Sequence, residues 1–252
     1  MTGKGTRGAG MWILRVRKVQ IALIAMGVVV VLMAGLAILG HFSNVPEDER
    51  IAVKPTSEEP AVTGLDDPTP EENPVVLPLP DTSKPEELAP AVAEVLGSPD
   101  TARFDEPYYV ATIASASPEI ENEGKAPTTP KEWATQVVAT AWESDPWEDR
   151  AQYKTTDTFT AQKVTAGDSE EFLNVFAPES PEVQEYLESQ GLVVMEVEGT
   201  LLRELTDPDD GVRKQADMGE TSWSVAMLCP EKENCQVFLA VPGTFEQAQK
   251  EG

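Results

Sequence analysis

The sequence predicts a membrane-anchored α+β protein: a single N-terminal transmembrane helix, a disordered acidic proline-rich spacer, then helices packed on a curved antiparallel sheet. Three observations carry this prediction. Residues 19–40 are an uncharged apolar run of 22 residues. Residues 44–107 hold 12 of the chain's 21 prolines. Beyond Lys125, segments with helical spacing come first and Val- and Leu-rich runs come last, the order of an α+β chain.

The apolar run VQIALIAMGVVVVLMAGLAILG is about 33 Å long as a helix, enough to cross a hydrocarbon core of about 30 Å. It exceeds the 7–15 residues of a signal-peptide core, and nothing nearby surrounds a helix that is apolar on all sides. A permanent anchor is the expected state. Residues 1–18 carry Lys4, Arg7, Arg15, Arg17 and Lys18 and no acid. That basic flank predicts a cytoplasmic N-terminus and a C-terminal part outside the cell membrane, extracellular or periplasmic. The lipid bilayer is therefore the first expected partner. Gly27 and Gly35 share a helix face without forming G-x-x-x-G, so a homo-oligomer contact stays open.

Residues 41–107 read as the spacer. Residues 44–107 hold 16 acidic side chains against four basic ones, too polar and too proline-rich for a continuous helix or central strand. A flexible coil of that length averages roughly 45 Å end to end. PEELAPAVAEVLG, residues 85–97, has a helix start at Pro85 and a stop at Gly97, and is expected as a transient helix within the linker. FDEPYYVATIASA, residues 104–116, is expected as a strand or a packing arm.

The outer domain is expected over residues 108–252, with its core at about 126–242. Thr129 and Pro130 open a helix whose Trp133, Val137, Val138, Ala141 and Trp142 share one face. Trp147 to Val164 reads as one or two short helices joined by Thr-rich turns. DSEEFLNVF, residues 168–176, reads as a helix or short strand, and Ser180-Pro181 opens a further helix that stops at Gly191. Residues 192–205, 212–229 and 235–242 read as three consecutive strands of a meander. Trp133, Trp142, Trp147 and Phe159 either line a pocket or fill a core.

Composition narrows the chemistry. Residues 41–252 hold 14 basic and all 44 acidic side chains, a net charge of −30. Such a surface repels phosphates, so no direct nucleic-acid binding is expected. The only histidine is His41, which removes Ser-His-Asp, Cys-His and histidine-zinc sites from the outer domain. No metal or cofactor is expected. The acidic turn at Asp207, Asp209 and Asp210 fails as a calcium loop, because Gly211 falls at position five and an EF-hand needs glycine at six. Cys229 and Cys235 are the only cysteines and flank a short loop between strands, which predicts a disulfide outside the membrane. Carboxylate chemistry remains open, with Asp157 and Asp145 the first residues to examine as a buried base.

The helix EWATQVVATAWESDP followed by WEDRAQYKTTDTFTAQ, within the whole layout, resembles membrane-anchored proteins of Gram-positive bacteria, especially actinobacteria. Their outer domain has the nuclear-transport-factor-two-like, cystatin-like cone. The resemblance covers roughly residues 126–242 and is a pattern of elements without an aligned motif, so no functional residue carries over. It implies a bitopic scaffold protein of the conjugative type IV secretion kind. The expected function is a non-enzymatic assembly or scaffold component of a conjugation or secretion apparatus, contacting other membrane or cell-envelope proteins. The alternative is an outer binding module for a small apolar ligand, a peptide or a wall component.

Overall fold

The computed structural model describes residues 62–63, 74–120, 128–178, 180–209 and 211–245. The expected basic tail, the expected membrane span at residues 19–40 and residues 41–61 and 64–73 of the spacer lie outside them. No described helix is long and apolar enough to cross a membrane.

The first helix, α1 (Pro85–Gly97), lies at the centre of the fold. Pro85 occupies its first turn and Glu86 and Glu87 face the positive end of its dipole. Pro90 forfeits one backbone bond inside the helix. Leu88, Ala89, Val92, Ala93 and Leu96 are fully buried, a single face at helical spacing. That face packs on all four long strands of the sheet. The boundary expected at residue 107 is therefore corrected. The folded body already includes Leu79, which is buried and whose N–H donates to Ser115 Oγ at 2.9 Å.

Residues 104–116 pack against the domain, one of the two expected forms, but as a helix and not a strand. They form α2 (Glu106–Ala114), whose N-cap Asp105 accepts from the Tyr108 N–H at 3.2 Å. Tyr109, Val110 and Ile113 are its buried face. Next, α3 (Pro130–Ala141) starts as expected, with a capping box: Thr129 Oγ1 accepts from Glu132 N–H and Glu132 Oε2 accepts from Thr129 N–H at 2.8 Å. After it, α4 (Trp147–Gln152) is the only helix between Trp147 and Val164. The Thr-rich remainder is a strand. β-Branched threonines suit a half-buried pleated surface, and burial alternates between Asp157 and Phe159 inside and Thr158 and Thr160 outside. Two short helices follow, α5 (Ser169–Phe176) and α6 (Pro181–Ser189).

The sheet is antiparallel. In chain order its strands are β1 (Val62–Thr63), β2 (Thr156–Ala166), β3 (Leu192–Thr206), β4 (Arg213–Leu228) and β5 (Gln236–Pro242). The three-strand meander is present as β3, β4 and β5, and β2 extends it beyond β3. On the other side of β4, β5 pairs with residues 223–228 and the two-residue β1 with Lys214 and Gln215. Bulges at Gln162, Met218 and Phe238 interrupt the ladders and bend them.

The β2 edge of the sheet is closed by local groups. Along β2, the Asp157 N–H donates to the Pro99 carbonyl, the Phe159 N–H to Ser98 Oγ and the Ala161 N–H to Glu94 Oε1. On β4, the Gly219 N–H donates to Asp217 Oδ1 at 2.8 Å. Such sealing limits strand addition at an exposed edge. Inside, Gly199 lets the Phe159 ring lie flat on the sheet. A Cβ there would sit 2.6 Å from that ring and 2.3 Å from the Thr160 carbonyl oxygen.

Candidate functional site

The four aromatic candidates pack in three separate places. Trp142 and Trp147 lie 5.1 Å apart between ring centres, with Tyr109 edge-on to Trp142 at 5.3 Å. Trp133 stacks obliquely on Phe238 at 5.0 Å. Phe159 packs beside Gly97 and Gly199. Trp133, Trp142 and Phe159 are buried, while Trp147 is partly buried against the core. Each buried indole has its partner: Trp133 Nε1–H donates to the Phe238 carbonyl and Trp142 Nε1–H to the Leu96 carbonyl, both at 2.9 Å. These residues fill the interior.

The carboxylates proposed as a base are also committed. Asp157 is 2% exposed and sits opposite Arg203 in the β2–β3 register. Its Oδ1 accepts from Arg203 Nε at 2.7 Å. Its Oδ2 accepts from Arg203 Nη2 at 2.7 Å and from Arg150 Nη1 at 2.9 Å. Asp145 Oδ2 pairs with Arg203 Nη2 at 2.8 Å and Arg150 Nη2 at 3.1 Å. Burial draws the Arg150 guanidinium below its ordinary value. For Arg203 burial pulls the same way, but the hydrogen bond and charge of Asp157 outweigh it and the net shift is upward. Four formal charges thus cancel within one cluster. With both Asp157 oxygens held by guanidinium forks, neither is placed to take a proton from a substrate.

A third arginine lies beside the cluster. Arg213 is buried and reaches Glu204 Oε2 at 3.1 Å and Thr156 Oγ1 at 2.8 Å. Thr156 Oγ1 in turn donates to Asp100 Oδ1 at 3.1 Å. The Asp100 N–H donates to the Tyr109 hydroxyl at 2.6 Å, and burial pushes the Tyr109 phenol up from its usual range. Among the described residues, every buried side-chain nitrogen or oxygen has a partner. The arginines were not candidates in the sequence. Their one signal was scarcity, since residues 41–252 hold only 14 basic side chains.

Cys229 and Cys235 are bonded, with Cα atoms 4.1 Å apart. Their loop grips the point where the chain enters the folded body. The Cys235 N–H donates to the Thr82 carbonyl at 2.8 Å, Asn234 Nδ2 bonds Asp81 Oδ1, and the Val237 N–H donates to the Ala116 carbonyl at 2.6 Å. A polar cleft of about 250 Å³ lies here, walled by Pro80, Asp81, Ser115, Ser117, Asn234 and Gln236 among others. Just upstream, Val75, Val76 and Leu77 are 79%, 38% and 66% exposed. The acidic turn behaves as a turn: Asp207 Oδ1 accepts from the Asp209 N–H and Oδ2 pairs with Lys214. Among the described residues no group of three or more histidine, cysteine or acidic side chains is placed to hold a metal ion.

No protein-family model, no curated protein and no solved structure matches this chain.

Proposed function

We propose that the chain is a non-enzymatic, membrane-anchored assembly component that presents a solid α+β domain to other envelope proteins, as a scaffold of a conjugation or secretion apparatus does. The observation supporting this is the filled interior. The aromatic stripe that a ligand-binding cone would leave open is packed and hydrogen-bonded, and the buried carboxylates are neutralised by arginine. The work of such a domain is then done by its surface. The finer fold reading is a nuclear-transport-factor-two-like cone closed around α1. Its support is the packing of α1 against β2, β3, β4 and β5, together with three bulges that bend the sheet.

Two experiments test this reading. Protease added to intact cells should remove the C-terminal domain without opening the membrane; protection of that domain until lysis overturns the orientation. Deletion of the gene followed by a mating assay should reduce plasmid transfer. Undiminished transfer overturns the conjugation role while leaving the anchored-scaffold role standing.

A further inference from the structure

We propose that residues 74–80, PVVLPLP, are a preformed docking peptide for an apolar groove rimmed by lysine and arginine on a partner protein. The proposal rests on the surface-scaffold reading above and names the surface. Val75, Val76 and Leu77 are the large apolar side chains that stand exposed among the described residues, and they are consecutive. No other large apolar side chain among the described residues is exposed, and the β2 edge of the sheet is capped. Three adjacent exposed aliphatic side chains are a contact surface in want of a cover.

The segment is also held in a presentable form. Pro74, Pro78 and Pro80 restrict it to extended backbone, so little conformational entropy remains to be lost on binding. Its downstream end is fixed at three points: Leu79 is buried with its N–H on Ser115 Oγ, Asp81 is bonded by Asn234, and the Thr82 carbonyl accepts from Cys235. Val75 and Leu77, two residues apart, are the most exposed, as alternate side chains of an extended peptide entering a groove would be.

Charge selects among occupants. The segment is flanked in sequence by Glu71 and Glu72 on one side and by Asp81 and Glu86 on the other, while Glu87 is paired with Lys84. A second copy of this chain carries the same charges and is repelled, as is an anionic lipid surface. A groove with a basic rim gains from the acidic flanks and from burying the aliphatic side chains together.

The test uses the full-length chain in its host cell with a photo-crosslinking phenylalanine at position 75, and a control at the exposed Thr158. The expected result is one discrete protein adduct from position 75 and none from 158, with the crosslink mapping to an apolar groove that has lysine or arginine at its rim. A synthetic peptide of residues 71–82 should compete with adduct formation. The same peptide carrying V75D and L77D should compete at least about tenfold more weakly, the loss expected for one buried aliphatic contact. Adducts only with lipid or a second copy, equal adducts from both positions, no adduct, or equal competition by the two peptides would each overturn the proposal. Because mating efficiency and protease shaving are read separately, failure of the scaffold role and failure of this docking segment are distinguishable.

Discussion

Replacing Asp157 with asparagine removes one negative charge from the Arg150–Asp157–Arg203–Asp145 cluster while keeping the side chain's shape. Three charge-assisted hydrogen bonds end on Asp157, at 2.7, 2.7 and 2.9 Å. In Asp157→Asn one of the two terminal atoms becomes an N–H₂ donor pointed at a guanidinium, which has only donors. The two arginine side chains are 11% and 17% exposed, so water replaces little of what is lost. Breaking a buried pair from one side costs about 3–5 kcal/mol. That is a large part of the roughly 5–15 kcal/mol that holds a domain folded. At about 2–4 °C per kcal/mol for a chain of this size, the melting temperature should fall by roughly 6–20 °C. Tryptophan fluorescence of the detergent-solubilised full chain is a suitable assay, because Trp142 lies under Arg150 with its ring centre 6.0 Å from the guanidinium carbon. Adding Arg150→Met in the Asp157→Asn background removes one stranded charge and should recover part of the loss. A change below about 1 kcal/mol, or no recovery in the double variant, would refute the reading of this cluster as a buried, mutually neutralising lock.

Other outcomes follow from the same structure. Burial raises the Tyr109 phenol above its ordinary value of 10.0, so the folded state keeps the proton longer than the unfolded one. The stability linked to that group is complete below pH 10 and falls as pH rises beyond it. Urea melts between pH 9 and pH 11 should show this decline, and Tyr109→Phe should flatten it. Gly199→Ala forces a Cβ to within 2.3 Å of the Thr160 carbonyl. It should cost at least about 1–3 kcal/mol by overpacking, read as a lower urea midpoint. Converting both Cys229 and Cys235 to serine should cost about 2 kcal/mol for so short a loop. It should also make the backbone near residues 79–84 more sensitive to protease, because the loop that grips Asp81 and Thr82 loses its closure. Unchanged cleavage there would show that the hydrogen bonds hold the junction without the bridge.

Legibility in the sequence tracked how far each segment's own pattern decides its structure. α3 was readable because its cap, its first-turn proline and its apolar stripe are all local. The β3–β4–β5 meander was readable from Val and Leu runs separated by turn residues. α1 was identified as a helix but assigned to the linker. Its flanks are acidic and proline-rich, and its apolar face is a short stripe of five residues, Leu88, Ala89, Val92, Ala93 and Leu96, whose value appears only once a sheet lies against them. β2 was missed because TDTFTAQKVT lacks a strong apolar alternation. Its identity comes from pairing with β3 and from Ser98 and Glu94, which lie 61 and 67 residues away from their partners on the strand. Asp157 was flagged, but its role was inverted. The arginine that governs it lies 46 residues on, and only the register of two strands brings them together.

The position of α1 also sets the order in which the domain is completed. It is the first long element of the folded body to leave the ribosome, yet the face it buries is covered by β2, β3, β4 and β5. The Trp133 indole waits for the Phe238 carbonyl, 105 residues later. Contacts of that span are slow to form, since a long loop must close before they contribute. That packing therefore cannot be completed until β5 is made. A chain stopped before Gln236 should lose the entire domain and not only its last strand.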